Sequence, residues 1–88
     1  MKYTVDYSKR AEKWFSKANK NVAKMLYSWI GKNLVDTTNP FQHGKALTAD
    51  LAGFWRYRVG DYRILCEIQQ DKLTIYVVEV GHRREVYE

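Results

Sequence analysis

An α+β domain is predicted by three features of the sequence. The N-terminus alternates polar and apolar residues, two stretches with helical spacing follow, and the C-terminal half alternates again in three runs separated by short turn signals. The chain has 88 residues, which makes a single domain spanning 1–88. A hydrophobic share of 45%, with three Trp and seven Tyr, is enough for a packed core and excludes a disordered chain.

Each element has its own signal. Residues 2–7 place Tyr3, Val5 and Tyr7 on one side of a short strand. Ser8 is placed to cap a first helix carrying Ala11, Trp14, Phe15 and Ala18 at helical spacing. A break falls at 19–21. Val22, Met25, Leu26, Trp29, Ile30 and Leu34 then mark the apolar stripe of a second helix, opposite a solvated face with Lys20, Lys24 and Lys32. Gly31 weakens that helix by about 1 kcal/mol relative to Ala, and the run 36–40, ending in Pro40, terminates it. Residues 41–51 read as a loop, with at most a helical turn. Three strands are expected at 54–59, 62–69 and 72–80, joined by tight turns at Gly60-Asp61 and Gln70-Asp71. Consecutive hairpins make these strands an antiparallel meander, with the helices packed on one face.

Strand alternation sorts the side chains. With Gly60 and Asp61 as loop residues, Arg58 faces Arg63, Arg56 faces Leu65 and Trp55 faces Cys66. Trp55, Tyr57, Val59, Tyr62, Ile64, Cys66 and Ile68 then share the core face, and Arg56, Arg58 and Arg63 the other. Carried through a Gln70-Asp71 turn, Leu73, Ile75 and Val77 join the core, and Tyr76, Val78 and Val80 the arginine face. Parity decides this, since one extra residue reverses a strand.

Like charges directly opposite across a strand pair are destabilising, so Arg58 against Arg63 points to a use beyond folding. Guanidinium groups bind phosphate bidentately, and the net charge of +5 favours an anionic partner. The alternative is a solvated face with Glu67 and Glu79 as partners. Tyr76 on this face is placed to stack a base, or is simply a good strand former.

After an expected bend at Gly81 come His82, Arg83, Arg84 and Tyr87. Metal-free RNA cleavage needs the ribose 2′-OH as nucleophile, a proton acceptor, charge stabilisation at phosphorus and an acid for the leaving oxygen. Arginines supply the charge. His82 has the reference pKa best matched to acid–base work; its alternative role is a hydrogen-bonded turn histidine. No metal-ligand set is evident, His43 reads as a loop residue, and Gly44-Lys45 alone is not a phosphate loop. The lone Cys66 excludes an internal disulfide. The N-terminus lacks a signal-peptide pattern and no run is long enough to span a bilayer, so a cytoplasmic location and no membrane contact are expected.

These motifs resemble the RelE branch of the RelE/ParE toxin superfamily nearly end to end. The resemblance rests on the opening strand into Ser8-Lys9-Arg10-Ala11, then Gly44-Lys45-Ala46-Leu47. It continues through Leu51-Ala52-Gly53-Phe54-Trp55-Arg56-Tyr57-Arg58-Val59-Gly60-Asp61-Tyr62-Arg63 and closes on Val80-Gly81-His82-Arg83-Arg84-Glu85-Val86-Tyr87. It implies the RelE-like fold and a ribosome-dependent mRNA interferase that cleaves the codon exposed in the A site, without metal or other cofactor. It also implies a RelB-like antitoxin, acidic and partly disordered when free, with operator DNA reached only through the antitoxin complex.

By the same resemblance, Arg63 contacts phosphate, and Arg83 stabilises charge or protonates the leaving group. Tyr87 stacks a base or accepts the 2′-OH proton, and His82 completes the catalytic candidates. Arg56, Arg58, Tyr76, Arg84 and Lys45 are the RNA-binding candidates. Two departures stand out: arginines replace the lysine pair of some members, and the sequence stops at Glu88 without their additional C-terminal helix. The competing expectations are a ParE-like inhibitor of DNA gyrase and a non-catalytic RNA-binding relative.

Overall fold

The computed structural model describes residues 1–84. Its elements run β1 (Thr4–Tyr7), α1 (Lys9–Lys17), α2 (Lys20–Asn33), β2 (Lys45–Ala46), β3 (Trp55–Val59), β4 (Tyr62–Gln69) and β5 (Thr74–His82), with 3-10 turns at Pro40–Gln42, Ala49–Leu51 and Gln70–Lys72. The strands form one sheet in the order β1-β5-β4-β3-β2, with β1 parallel to β5 and the other pairs antiparallel. The α+β class and the meander are as expected from the sequence. The two-residue strand β2 adds an edge within the stretch read as a loop.

The helices start where their caps are. The Ser8 hydroxyl accepts the Ala11 amide N–H at 3.0 Å, and the Asn19 side chain accepts that of Asn21 at 2.8 Å. Leu26 and Ile30 on α2 and its C-cap Leu34, with Ala11 and Phe15 on α1, pack against Tyr57, Ile64, Cys66, Ile75 and Val77 of the sheet. Met25 departs from the expected stripe and is exposed. Burial pushes the Cys66 thiol well above its usual range, which makes it an inert core residue.

The first hairpin has the register that alternation gives: Val59 opposite Tyr62, Arg58 opposite Arg63 and Arg56 opposite Leu65. Of its two loop residues only Gly60 has positive φ, at 58°, the conformation a glycine takes at the first position of a II′ turn. The second hairpin differs. Gln69 pairs with Thr74, so the loop is four residues rather than two, with Leu73 in the left-handed region at φ 49°. An even loop preserves parity, and Ile75 and Val77 stay in the core as expected.

Further along β5 the parity breaks. Cys66 pairs with Val77 but Leu65 with Glu79, leaving Val78 as an additional residue. Val80 therefore turns into the core, only 4% exposed, instead of joining the arginine face with Val78. Continued without the bulge, the same ladder would put Glu79 opposite core Ile64 and Val80 beside Arg63. β5 also runs on through Gly81 to His82, so Gly81 is a strand residue opposite Arg63 and not a bend.

Candidate nucleic-acid interface

The helix-free face of the sheet carries the arginines. Arg56 is paired with Lys45 of β2 on one side and Leu65 of β4 on the other, and Arg58 with Arg63. Four basic residues from three adjacent strands thus share one face. Arg56 and Arg63 are 6% and 5% exposed, so their stems are packed into the fold, and Arg63 donates to the Tyr62 carbonyl at 3.4 Å. Arg58 and Lys45 are exposed. A groove of about 550 Å³ runs between β2 and β3, lined by Lys45, Thr48, Arg56 and Arg58 among others. Gly44 makes this arrangement possible: its φ is 78°, and a Cβ there would run into the Arg56 carbonyl oxygen.

Past the end of β5, the chain turns back towards the first hairpin. The Arg83 amide donates to the Asp61 carbonyl at 2.7 Å, and its guanidinium stands 4.0 Å from the Asp61 carboxylate. Arg83 is two residues beyond Gly81, which itself pairs with Arg63. The tail arginine is therefore anchored at the Arg63 end of the sheet. Arg84 is exposed, and its amide donates to His82 Nδ1 at 3.4 Å.

Two expected site residues stand elsewhere. His82 pairs with Tyr62 and meets its ring edge-on, with centroids 5.5 Å apart. Tyr62 in turn packs on Trp14 of α1. His82 is thus on the helix side of the sheet, opposite the arginines. Tyr76 is on the arginine face, but two strands from Arg56 and flanked by Asp6 and Glu67. Tyr87 lies outside the described residues. Among the described residues no group of three or more His, Cys, Asp or Glu is placed to hold a metal ion, and no helix is long and apolar enough to cross a membrane.

Sequence reasoning missed a second basic cluster. Arg10, Lys13 and Lys17 follow at three- and four-residue steps along α1, a spacing that puts them on one helix stripe. It also missed Asp61 as the tether of Arg83, a contact between segments 22 positions apart that leaves no local signal.

A mixed sheet with two helices on one face is the fold of the RelE-type toxins of known structure. A family model described as the ParE toxin of the type II toxin-antitoxin system parDE matches residues 5–87, and the chain belongs to that family. It is 29% identical over 87 residues to Toxin RelG of Mycobacterium tuberculosis (strain ATCC 25618 / H37Rv), covering 99% of this chain and 98% of that protein. The fold superposes on a chain of the toxin-antitoxin complex RelBE2 from Mycobacterium tuberculosis with a TM-score of 0.85, at 27% identity over 97% of this chain and 95% of that one. The isolated E. coli RelE toxin shares the fold, with a TM-score of 0.71 at 20% identity, covering 91% of this chain and 83% of that one. The protein is the toxin component of a type II, RelBE-like toxin–antitoxin system.

Proposed function

We propose that this toxin is a ribosome-dependent endoribonuclease that cleaves mRNA in the A site by attack of the ribose 2′-OH. The observation that carries the reading is the Arg58–Arg63 cross-strand pair, flanked by Arg56 and Lys45. Such a cluster opposes its own folding and suits a phosphodiester, whose transition state gathers negative charge on the non-bridging oxygens. Arg63 and Arg56, with packed stems, act as pre-positioned donors. Arg58 and Lys45 grip the flanking backbone, and Arg83, held at the Asp61 turn, neutralises the developing charge.

By the RelE-type pattern of the tail Tyr87 accepts the 2′-OH proton, Arg83 keeps its proton and acts by charge, and the leaving 5′-oxygen is protonated by solvent. His82, turned towards the helices, supports the tail through its contact with the Arg84 amide. The cytoplasm, where ribosomes work, is the corresponding location. The partner antitoxin is RelB-like and acidic, and it covers the arginine face when it silences the toxin.

Primer extension on mRNA in a purified translation system, with and without ribosomes, tests this. Cuts within codons only when ribosomes are present are expected. Intact mRNA under both conditions overturns the reading. The ParE family match supports a second one, inhibition of DNA gyrase, and a supercoiling assay on the same preparation separates the two.

A further inference from the structure

A carboxylate stands at the arginine end of the sheet. Asp61 is at the tip of the hairpin on which Arg58 faces Arg63, and its side chain is 4.0 Å from the Arg83 guanidinium. The Arg83 side chain is 54% exposed and that of Asp61 67%, so the pair is open to a ligand. The turn does not need this charge. Gly60 takes the positive φ, and Asn or Ser serves the second loop position as well as Asp. Nor does the tail need it as an anchor, because the Arg83 amide already donates to the Asp61 main-chain carbonyl at 2.7 Å. What remains for the carboxylate is its effect on the guanidinium.

We infer that Asp61 is a specificity-determining residue, whose carboxylate competes with RNA phosphate for the Arg83 guanidinium. Carboxylate and phosphate engage the same fork of donors, so Arg83 cannot serve both in full. An acid beside cations that grip a polyanion weakens every RNA complex, but not equally. A free, flexible strand has to be ordered as it binds and keeps little binding energy in reserve. A strand already held in place meets no such cost and can displace the carboxylate. Asp61 thus withholds Arg83 from stray RNA and yields it to a phosphodiester presented in fixed geometry against Arg58 and Arg63.

Exposed ion pairs are weak, which suits a competitor that has to be displaced at each turnover and limits its effect to roughly two- to fivefold in affinity. The inference rests on the proposed RNA-cleaving function for the role of Arg83. Its main test reads RNA binding and needs no cleavage, so the two can fail separately.

The test is a fluorescence-anisotropy titration of the full chain with a labelled 2′-O-methyl oligouridine of about eight nucleotides, which lacks the attacking hydroxyl. Salt is held at about 0.15 M, where charges more than about 8 Å apart are largely screened. Asp61→Asn keeps the main-chain carbonyl and should bind roughly two- to fivefold tighter. Its plot of log Kd against log salt should steepen by about 0.7, one further phosphate contact on a single strand. In an Arg83→Gln background the same change should shift Kd by less than about 1.5-fold. Asp71→Asn, which removes an equal charge in the turn at the far end of β4, should do as little. In the translation system, KM for ribosomes carrying mRNA should fall less than Kd for the free oligomer. Circular dichroism confirms that the variants are folded. Unchanged or weaker binding by Asp61→Asn overturns the inference, as does a gain that survives Arg83→Gln or is matched by Asp71→Asn. Equal falls in KM and Kd overturn it too, since the carboxylate then discriminates nothing. So does a failure of both the wild-type chain and Asp61→Asn to bind the oligomer. Tighter binding through Arg83 without any mRNA cleavage by the wild-type chain would sink the nuclease reading and keep the competition.

Discussion

The Ser8 hydroxyl donates to the Val78 carbonyl at 2.6 Å while accepting the Ala11 amide at 3.0 Å. One side chain therefore caps α1 and holds the bulge in β5, at the point where β1 leaves the sheet after pairing Tyr7 with Val77. The bulge sets the site. It puts Gly81, with no side chain, opposite Arg63 and sends Val80 into the core. Ser8 acts on the arginine face without touching it.

Ser8→Ala is expected to destabilise the chain by about 1–2 kcal/mol, from a lost cap and a carbonyl left without its donor. In a domain this small that is a fall in Tm of roughly 4–16 °C. Thermal unfolding by circular dichroism measures it. An unchanged Tm would mean that the bulge is held by the strand ladder alone.

Arg58 faces Arg63 directly, and Arg58 is exposed. Arg58→Thr removes the like-charge pair and restores a good strand former, so stability should rise by about 0.2–1 kcal/mol. RNA cleavage should fall about tenfold or more, the loss of one charged phosphate contact. Opposite signs in the two measurements mark a residue kept for function. A loss of both would make the pair structural.

The arginine register was legible because a two-residue Gly60-Asp61 loop fixes every pairing of the first hairpin, and alternation then assigns each face. The second half of β5 was not. Val78 carries no composition signal for a bulge, and the hydroxyl that bonds its carbonyl comes from Ser8, 70 positions away. The face of His82 was equally out of reach, because it depends on that shift. The basic stripe of α1 was present in the sequence as Arg10, Lys13 and Lys17, but the groove it lines with Val80 and Tyr62 is brought together only by the tertiary structure.

Stability should also fall at alkaline pH. Burial, together with the neighbouring Tyr27 and Cys66, pushes the Tyr7 phenol from 10.0 up to about 12, and burial raises Tyr57 and Cys66 in the same direction. The folded state thus holds protons that the unfolded chain releases first. Their contribution is fully present below the unfolded values and is lost as pH rises through the folded ones. Tm should be insensitive to these groups at neutral pH, fall from about pH 9–10 upward, and keep falling towards 12. Tyr7→Phe should flatten part of that slope. An unaltered slope in the variant would remove Tyr7 from the account.

Two glycines make opposite predictions for the same substitution. At Gly31, within α2, a Cβ meets nothing within 4 Å, so Gly31→Ala should stabilise the helix by about 1 kcal/mol and leave RNA cleavage unchanged. At Gly44 the φ of 78° disfavours any side chain, and a Cβ would strike the Arg56 carbonyl and lie 2.7 Å from Trp55 Nε1. The backbone has to move, and what moves is the lead into β2, whose Lys45 pairs with Arg56. Gly44→Ala should therefore cost about 2–4 kcal/mol. It should also weaken RNA cleavage at temperatures where the variant is still folded, since the groove between β2 and β3 opens or closes with that shift. Denaturant unfolding and cleavage assays on both variants decide it. Gly44→Ala with wild-type cleavage would show that the β2 edge, and Lys45 with it, lies outside the working site.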